Sequence, residues 1–433
     1  MNKTKLRKWE WGEPMASTIK SVGRQMSFFD GNVPLKLTKP VRLIELFAGI
    51  GAQAQALKNL GVPFEYYRIC EIEKSVVDSY NAVHGTFFMP TDIMKIKAED
   101  LGVVDTDKYD YILTYSFPCT DLSKVGKQQG MSKGSGTRSG LLWEVERLLK
   151  EMKELPQILL MENVPDVLSA SNRKDFFSWC AFLESLGYTN RYALLNSKDF
   201  DIPQDRERCF MLSWQGDKYF YNFPQKKPKT RKLKDVLEKN VAERYYLKEE
   251  TLEKLNLTKI YRTANQGIWL GNLYADARMS SEDGRRFYRQ AFETIRENDC
   301  ADGDTIDAFN KRVNKSGVSP TVTTRPEGFK TAILVVDEPM VYDGYNGVIR
   351  SDGSCVGTLT TNCGADLKRN GQGIIESEKR IRKLTPKECW RLMGFDDESY
   401  ERAAKVTTHS KLYKQAGNSI VVDVLMEIFR GLF

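Results

Sequence analysis

Histidine is nearly missing: His84 and His409 are the only two in 433 residues. A histidine-centred triad has little to be built from, so general acid–base chemistry falls to a carboxylate or an arginine-supported group. Clustered cysteine is missing as well. Cys70, Cys119, Cys180, Cys209, Cys300, Cys355, Cys363 and Cys389 include no C-x-x-C pair. That argues against a structural zinc and fits reduced thiols in a cytosol, most of them core filler. There is no apolar run long enough to cross a bilayer, and no apolar segment behind a basic amino terminus. The expectation is a soluble cytoplasmic protein without a metal.

What is present is ordinary in amount: 41% hydrophobic and 28% charged residues suit a globular chain long enough for a large core and two domains. A net charge of +7 is a mild pointer to a polyanionic partner.

The chain is best read around Tyr109 to Thr120. Tyr109–Tyr115 is aromatic and β-branched, as in a buried strand, and Phe117-Pro118 stops it. Cys119 therefore falls just beyond a strand's carboxyl end, where open α/β sheets hold ligands. From Thr120 to Gly140 the sequence is polar, basic and glycine-rich, and reads as a flap beside a thiol. A buried structural cysteine followed by a surface loop is the competing reading.

Upstream, Val41–Leu46 reads as a strand, Phe47-Ala48-Gly49-Ile50-Gly51 as a turn, and Ala52–Leu60 as a helix stopped by Gly61. This is the first unit of a nucleotide-binding α/β sheet, with the backbone free to approach a ligand at the helix start. Gln53 and Ala54 stand where a third glycine would complete the dinucleotide fingerprint, which disfavours a NAD site. Phe64–Cys70 is the next strand and ends on Glu71-Ile72-Glu73, where an acid is suited to a ribose diol. A third short strand is expected over Phe87–Ile93, ending at Asp92. Acids at successive strand ends favour a nucleoside pocket over merely solvated carboxylates.

Leu141–Leu155 reads as an amphipathic helix, and Gln157–Met161 as a strand closed by Glu162-Asn163-Val164. Desolvation beside that strand favours the neutral form of Glu162 and suits a proton donor; capping of the next helix is the plainer role. Asp175–Leu186 is a further helix. The segments 191–195 and 208–214 look like a strand pair. Between them alternation puts Gln204, Arg206 and Arg208 on one face, either as a forked binder of phosphate or base carbonyl or as a solvated charge run. Residues 224–232 are basic and proline-broken, a domain boundary and candidate phosphate contact. The part from about 233 to 377 is weakly periodic and reads as a small irregular β-containing domain. Order returns with Arg382–Phe395, which has a Thr cap and Pro at the first helical position, and with Gln415-Ala416-Gly417-Asn418-Ser419 before a last helix.

In this order the segments resemble the DNA (cytosine-5)-methyltransferase family of bacterial and phage type. The resemblance spans about Val41–Trp214 and Arg380 to the end. It rests on the Phe47–Gly51 loop, Phe117-Pro118-Cys119, Glu162-Asn163-Val164, Gln204-Asp205-Arg206-Glu207-Arg208, Arg382–Pro386 and Gln415–Ser419. It implies an α/β fold: a Rossmann-like S-adenosylmethionine-dependent methyltransferase sheet over 41–222, a smaller target-recognition domain over 223–379, and a return to the catalytic domain over 380–433. Residues 1–40 are an extension. Implied catalytic residues are Cys119, Glu162, Arg206 and Arg208. Implied S-adenosyl-L-methionine contacts are Phe47, Gly49, Ile50, Gly51, Glu71, Ile72, Asp92, Ile93, Pro118, Leu142, Asn418 and Ser419. The implied partner is double-stranded DNA, with room for a cognate restriction endonuclease at the same site, and a monomer is expected. The implied reaction is methyl transfer to C5 of a flipped-out cytosine through a covalent bond from Cys119 to C6. Competing readings are an RNA cytosine methyltransferase, a catalytically silent DNA-binding protein and, remotely, a Rossmann dehydrogenase. The large basic insert favours duplex DNA.

Overall fold

The structure is a computed structural model. It describes residues 33–118, 130–134, 137–228, 230–245 and 381–433, and the short stretches 20–21, 305–307, 312–314, 332–334, 340–343, 348–350, 356, 358–359 and 372–375. Strand and helix alternate at first: β1 (Val41–Leu46), α1 (Ala52–Asn59), β2 (Phe64–Cys70), α2 (Lys74–His84), β3 (Asp110–Tyr115), α3 (Leu142–Glu151), β4 (Ile158–Asn163) and α4 (Arg173–Ser185). Two antiparallel strands follow, β5 (Tyr188–Asn196) and β6 (Glu207–Gln215). The sheet order is β5-β6-β4-β3-β1-β2, with Lys20–Ser21 added at the β5 edge. β1 to β4 run parallel; β6 pairs antiparallel with β4.

Side chains along the central strands alternate between two cores, as the pleat requires. Leu43, Ile112, Ile158, Leu160 and Leu212 pack on one face, and Ile44, Leu113, Leu159, Met161 and Met211 on the other. The first face is covered by α1 and by the carboxyl-terminal helices α5 (Pro386–Leu392), α6 (Asp397–Ala404), α7 (His409–Asn418) and α8 (Val422–Arg430). α3 and α4 cover the second. Every residue of β3 and β4 is buried, which accounts for their nearly unbroken apolar runs.

The expected third strand at Phe87–Ile93 does not form. β2 is the sheet edge, and residues 86–92 are loop. Asn81 takes the place of a ladder partner: its side chain accepts from the Phe88 N–H at 2.9 Å and donates to the Phe88 carbonyl at 2.8 Å. The apolar look of the segment misleads because Phe87 is 95% exposed and Met89 76%.

α5 is capped as its sequence indicates. Thr385 Oγ1 accepts from Glu388 N, and the Glu388 carboxylate accepts from Thr385 N and, in a buried bidentate pair, from Arg382. Gln415–Asn418, which precedes the last helix as expected, is itself the last turn of α7. The basic stretch at 224–232 answers to the chain's own acids: Lys226 with Asp199, Lys227 with Glu427, and Arg231 with Asp423. Between 305 and 383 the described strands form a three-stranded and a four-stranded antiparallel sheet. No helix among the described residues is long and apolar enough to cross a membrane.

Candidate active site

The chain leaves β1 toward β2 on one side and returns to β3 on the other, so the carboxyl ends of β1 and β3 diverge at a topological switch point. Ligand crevices open at such a point. Leu46 is level with Tyr115, and Tyr115 with Met161. The Phe47–Gly51 turn, Ser116–Pro118 and Glu162-Asn163 therefore emerge along one edge. β6 runs the other way with Phe210 opposite Glu162, which brings Arg208 to the same edge.

A cleft of about 540 Å³ lies there, within the usual range for cofactor sites. Of the residues expected at a site, Phe47, Gly49, Ile50, Glu71, Ile72, Asp92, Ile93, Pro118, Glu162, Arg206, Arg208, Asn418 and Ser419 line it. Gly51 and Leu142 do not. Gly51 turns its back to the cleft: at φ +78 it lies so close to the rings of His84 and Tyr80 that a Cβ would collide with both. Leu142 is in the core, because α3 begins there, and the preceding Leu141 reaches the cleft instead. Cys119 and, of the expected Thr120–Gly140 flap, residues 120–129 and 135–136 lie outside the described residues.

The glycine turn is fastened to the acid of the second strand: Gly49 N–H donates to Glu71 Oε2 at 3.2 Å, while Glu71 Oε1 accepts from Glu73 N at 3.0 Å. Each oxygen keeps further lone pairs for ligand hydroxyls. Phe47 sits at φ +57, an uncommon backbone for a side-chain-bearing residue and one that clusters at functional sites. Behind the turn, His84 Nε2 meets the Ile50 carbonyl at 3.0 Å.

At the other end, Glu162 is buried, and burial pushes its carboxyl above the usual carboxylate range; the cations of Arg208 and Arg206 oppose that shift. Arg208 Nε is 3.4 Å from Glu162 Oε1. The segment leading to Cys119 is held by two contacts that no sequence pattern displays. Asn163 Nδ2 donates to the Phe117 carbonyl at 3.0 Å, and Ser139 Oγ donates to the Pro118 carbonyl at 2.7 Å. Gln204, Arg206 and Arg208 do not share one environment. Gln204 and Arg206 are buried against main chain from distant segments, and only Arg208 stands beside Glu162. Cys70 also lines the cleft, but burial, then the charges of Glu71 and Asp92, push its thiol up to about 12, which keeps it protonated.

A glycine turn, a strand-end acid and a buried carboxyl paired with arginine around one switch-point cleft define a Rossmann-like methyltransferase. Two solved structures share the fold: a methyltransferase of Entamoeba histolytica, EhMeth (TM-score 0.58, 14% identity, covering 92% of this chain and 98% of that one), and the S. pombe Dnmt2 methyltransferase (TM-score 0.56, 18% identity, 90% and 96%). The chain belongs to the C-5 cytosine-specific DNA methylases, whose family model matches residues 41–433, and it is a DNA cytosine-5 methyltransferase. Among its relatives are the type II methyltransferase M2.ScrFI of Lactococcus lactis subsp. cremoris (29% identity, 91% of this chain, 99% of the relative) and the orphan methyltransferase M.SPBetaI of Bacillus phage SPbeta (28%, 90% and 97%).

Proposed function

We propose that the cleft holds S-adenosylmethionine and that the chain methylates C5 of a cytosine turned out of duplex DNA, through a covalent bond from Cys119 to C6. The cofactor, when bound, supplies an electrophilic methyl group. Glu71 and Asp92 are acceptors suited to the ribose and adenine, Phe47, Ile72, Ile93 and Pro118 offer apolar contact, and Gly49, Ile50, Asn418 and Ser419 bound the remainder. The fit is supported by the cleft's volume and by Glu71, whose oxygens each take one backbone N–H among the described residues.

C5 of cytosine is a weak nucleophile. Addition of the Cys119 thiolate at C6 forms the S–C6 bond and makes C5 enamine-like, so that it can take the methyl. Glu162, protonated or sharing a proton with N3, relieves the charge that builds on the ring, and Arg208 stands where it can hold both that carboxyl and the base carbonyl. Loss of the C5 proton to a base then returns the electron pair and breaks S–C6. C6 is inaccessible within a base stack, so the cytosine must be extruded. The 223–379 region is the proposed reader of duplex DNA, and the chain acts as a monomer, alone or beside an endonuclease of the same specificity.

The observation that carries this reading is the convergence of the glycine turn, Phe117-Pro118 and the Glu162–Arg208 pair on one cleft. Its test is Cys119→Ser, assayed with labelled cofactor on duplex DNA and on tRNA. Wild type should label DNA only, and the variant should bind DNA without turnover or covalent trapping on 5-fluorocytosine duplexes. Rapid methylation by Cys119→Ser would remove covalent catalysis, and labelling of tRNA alone would remove the DNA substrate.

A further inference from the structure

Arg206 has more main-chain partners than a contact to substrate requires. It is 4% exposed. Nη1 donates to the Leu359 carbonyl at 2.9 Å, and Nη2 donates to the carbonyls of Gly417 at 3.1 Å and Ser419 at 2.8 Å. Leu359 belongs to the 223–379 region, whereas Gly417 and Ser419 line the cleft. The neighbouring residues stitch the same seam. Gln204 Nε2 donates to the Leu392 carbonyl at 2.9 Å, and its Oε1 accepts from Leu359 N at 3.2 Å. Thr358 Oγ1 donates to the Asp205 carbonyl at 2.9 Å, and Val356 exchanges backbone bonds with Pro203 and Asp205. A planar guanidinium holds such a set with little freedom, and its loss leaves buried carbonyls short of a donor.

We infer that Arg206 is a positioning residue that couples the region reading DNA to the cofactor wall at Gly417–Ser419, rather than a contact to the target base. The inference rests on the proposed function for both ligands. A displacement of 356–359 when DNA is engaged is carried by one rigid group to the main chain that bounds the cofactor. By linkage, a cofactor that fixes Gly417–Ser419 favours the DNA-competent arrangement to the same degree.

The test measures S-adenosylhomocysteine affinity calorimetrically, with and without a duplex carrying the site the enzyme methylates. It uses wild type, Arg206→Lys and the gentler Thr358→Val, which removes the one bond from Thr358 across the seam to the Asp205 carbonyl and leaves the guanidinium in place. In wild type the duplex should tighten the cofactor product on the order of fivefold or more, and both variants should bring that ratio toward one. Thr358→Val should leave affinity without DNA within about twofold, as expected of a change acting on the coupling alone. A wild-type ratio of one overturns the coupling. So does an Arg206→Lys enzyme that keeps the ratio and both affinities but loses about a hundredfold in kcat, the mark of a group acting in the chemical step. Should Arg206→Lys fail to fold, an unchanged ratio in Thr358→Val overturns the inference by itself. Wild type that binds no S-adenosylhomocysteine at all fails the cofactor reading instead, which is a separate result.

Discussion

Arg208 and Glu162 face each other at 3.4 Å across neighbouring antiparallel strands, with only 14% and 11% of their side chains exposed. Burial raises the Glu162 carboxyl and the arginine holds it back, so the pair sets where this acid titrates. Arg208→Ala removes the opposing charge. The folded-state value then moves further up, against the remaining charge of Arg206. The limb of the kcat/KM profile that reports Glu162 should shift to higher pH. An unchanged limb would detach this carboxyl from the chemistry.

Asn163 acts on the next strand over. Its amide ties the end of β4 to the Phe117 carbonyl, two residues before Cys119, and its own oxygen accepts from Val164 N at 2.9 Å. Asn163→Ala leaves a buried carbonyl without that donor, so denaturant unfolding should report a loss of about 1–3 kcal/mol. Turnover should fall more than cofactor affinity does, since the slackened segment carries the thiol and not the glycine turn.

Gly49 and Gly51 separate conformational strain from collision. Both have positive φ, but a Cβ on Gly49 meets nothing within 4 Å, whereas one on Gly51 runs into His84 and Tyr80. Gly49→Ala should cost about 1 kcal/mol, the usual penalty of that backbone region. Gly51→Ala should cost more, about 3 kcal/mol, because the overpacking adds to the strain. A double-mutant cycle with His84→Ala should recover about 1 kcal/mol or more of the difference. Additivity of the two changes would place the steric conflict elsewhere.

Part of this arrangement is written locally in the sequence, and part depends on segments far apart in it. Strand ends at Leu46 and Tyr115 were legible because each run stops shortly before Gly or Pro, whereas β4 runs on past the expected end at Met161 to Asn163, paired there with β6. Leu141 against Leu142 was not, since the two leucines differ only in where α3 begins. The false strand at Phe87–Ile93 has strand-like composition but does not add to the open edge of β2, because the Asn81 side chain takes the Phe88 main chain and Phe87 and Met89 face water. Arg206 was legible as part of a motif and not as a brace, because its acceptors lie 153 to 213 residues away in sequence. Local pattern names the residues; only topology says which of them meet.

A buried pair behind the glycine turn gives a prediction about stability and pH. Tyr80 donates to Glu45 Oε2 at 2.5 Å, and burial, opposed by that hydroxyl and the Ala54 N–H, pushes the Glu45 carboxyl up to about 7. His84, whose ring lies 4.6 Å from that of Tyr80, is pushed down to about 4, chiefly by burial. A raised acid holds its proton in the folded state after the unfolded chain has lost it, so its contribution is present below about 4.5 and is lost as pH rises through 7. A depressed base does the reverse: its contribution is present above 6.5 and is lost as pH falls through 4. Between about 4.5 and 6.5 the two slopes oppose each other at roughly 1.4 kcal/mol per pH unit apiece. Glu45→Gln removes only the first. Urea unfolding at stepped pH should therefore show the variant gaining on wild type by roughly 3 kcal/mol from pH 4.5 to 7, with every other titration cancelling in the difference. Parallel curves would mean that Glu45 ionises inside the fold as readily as in water, and that the back of the glycine turn is open to solvent.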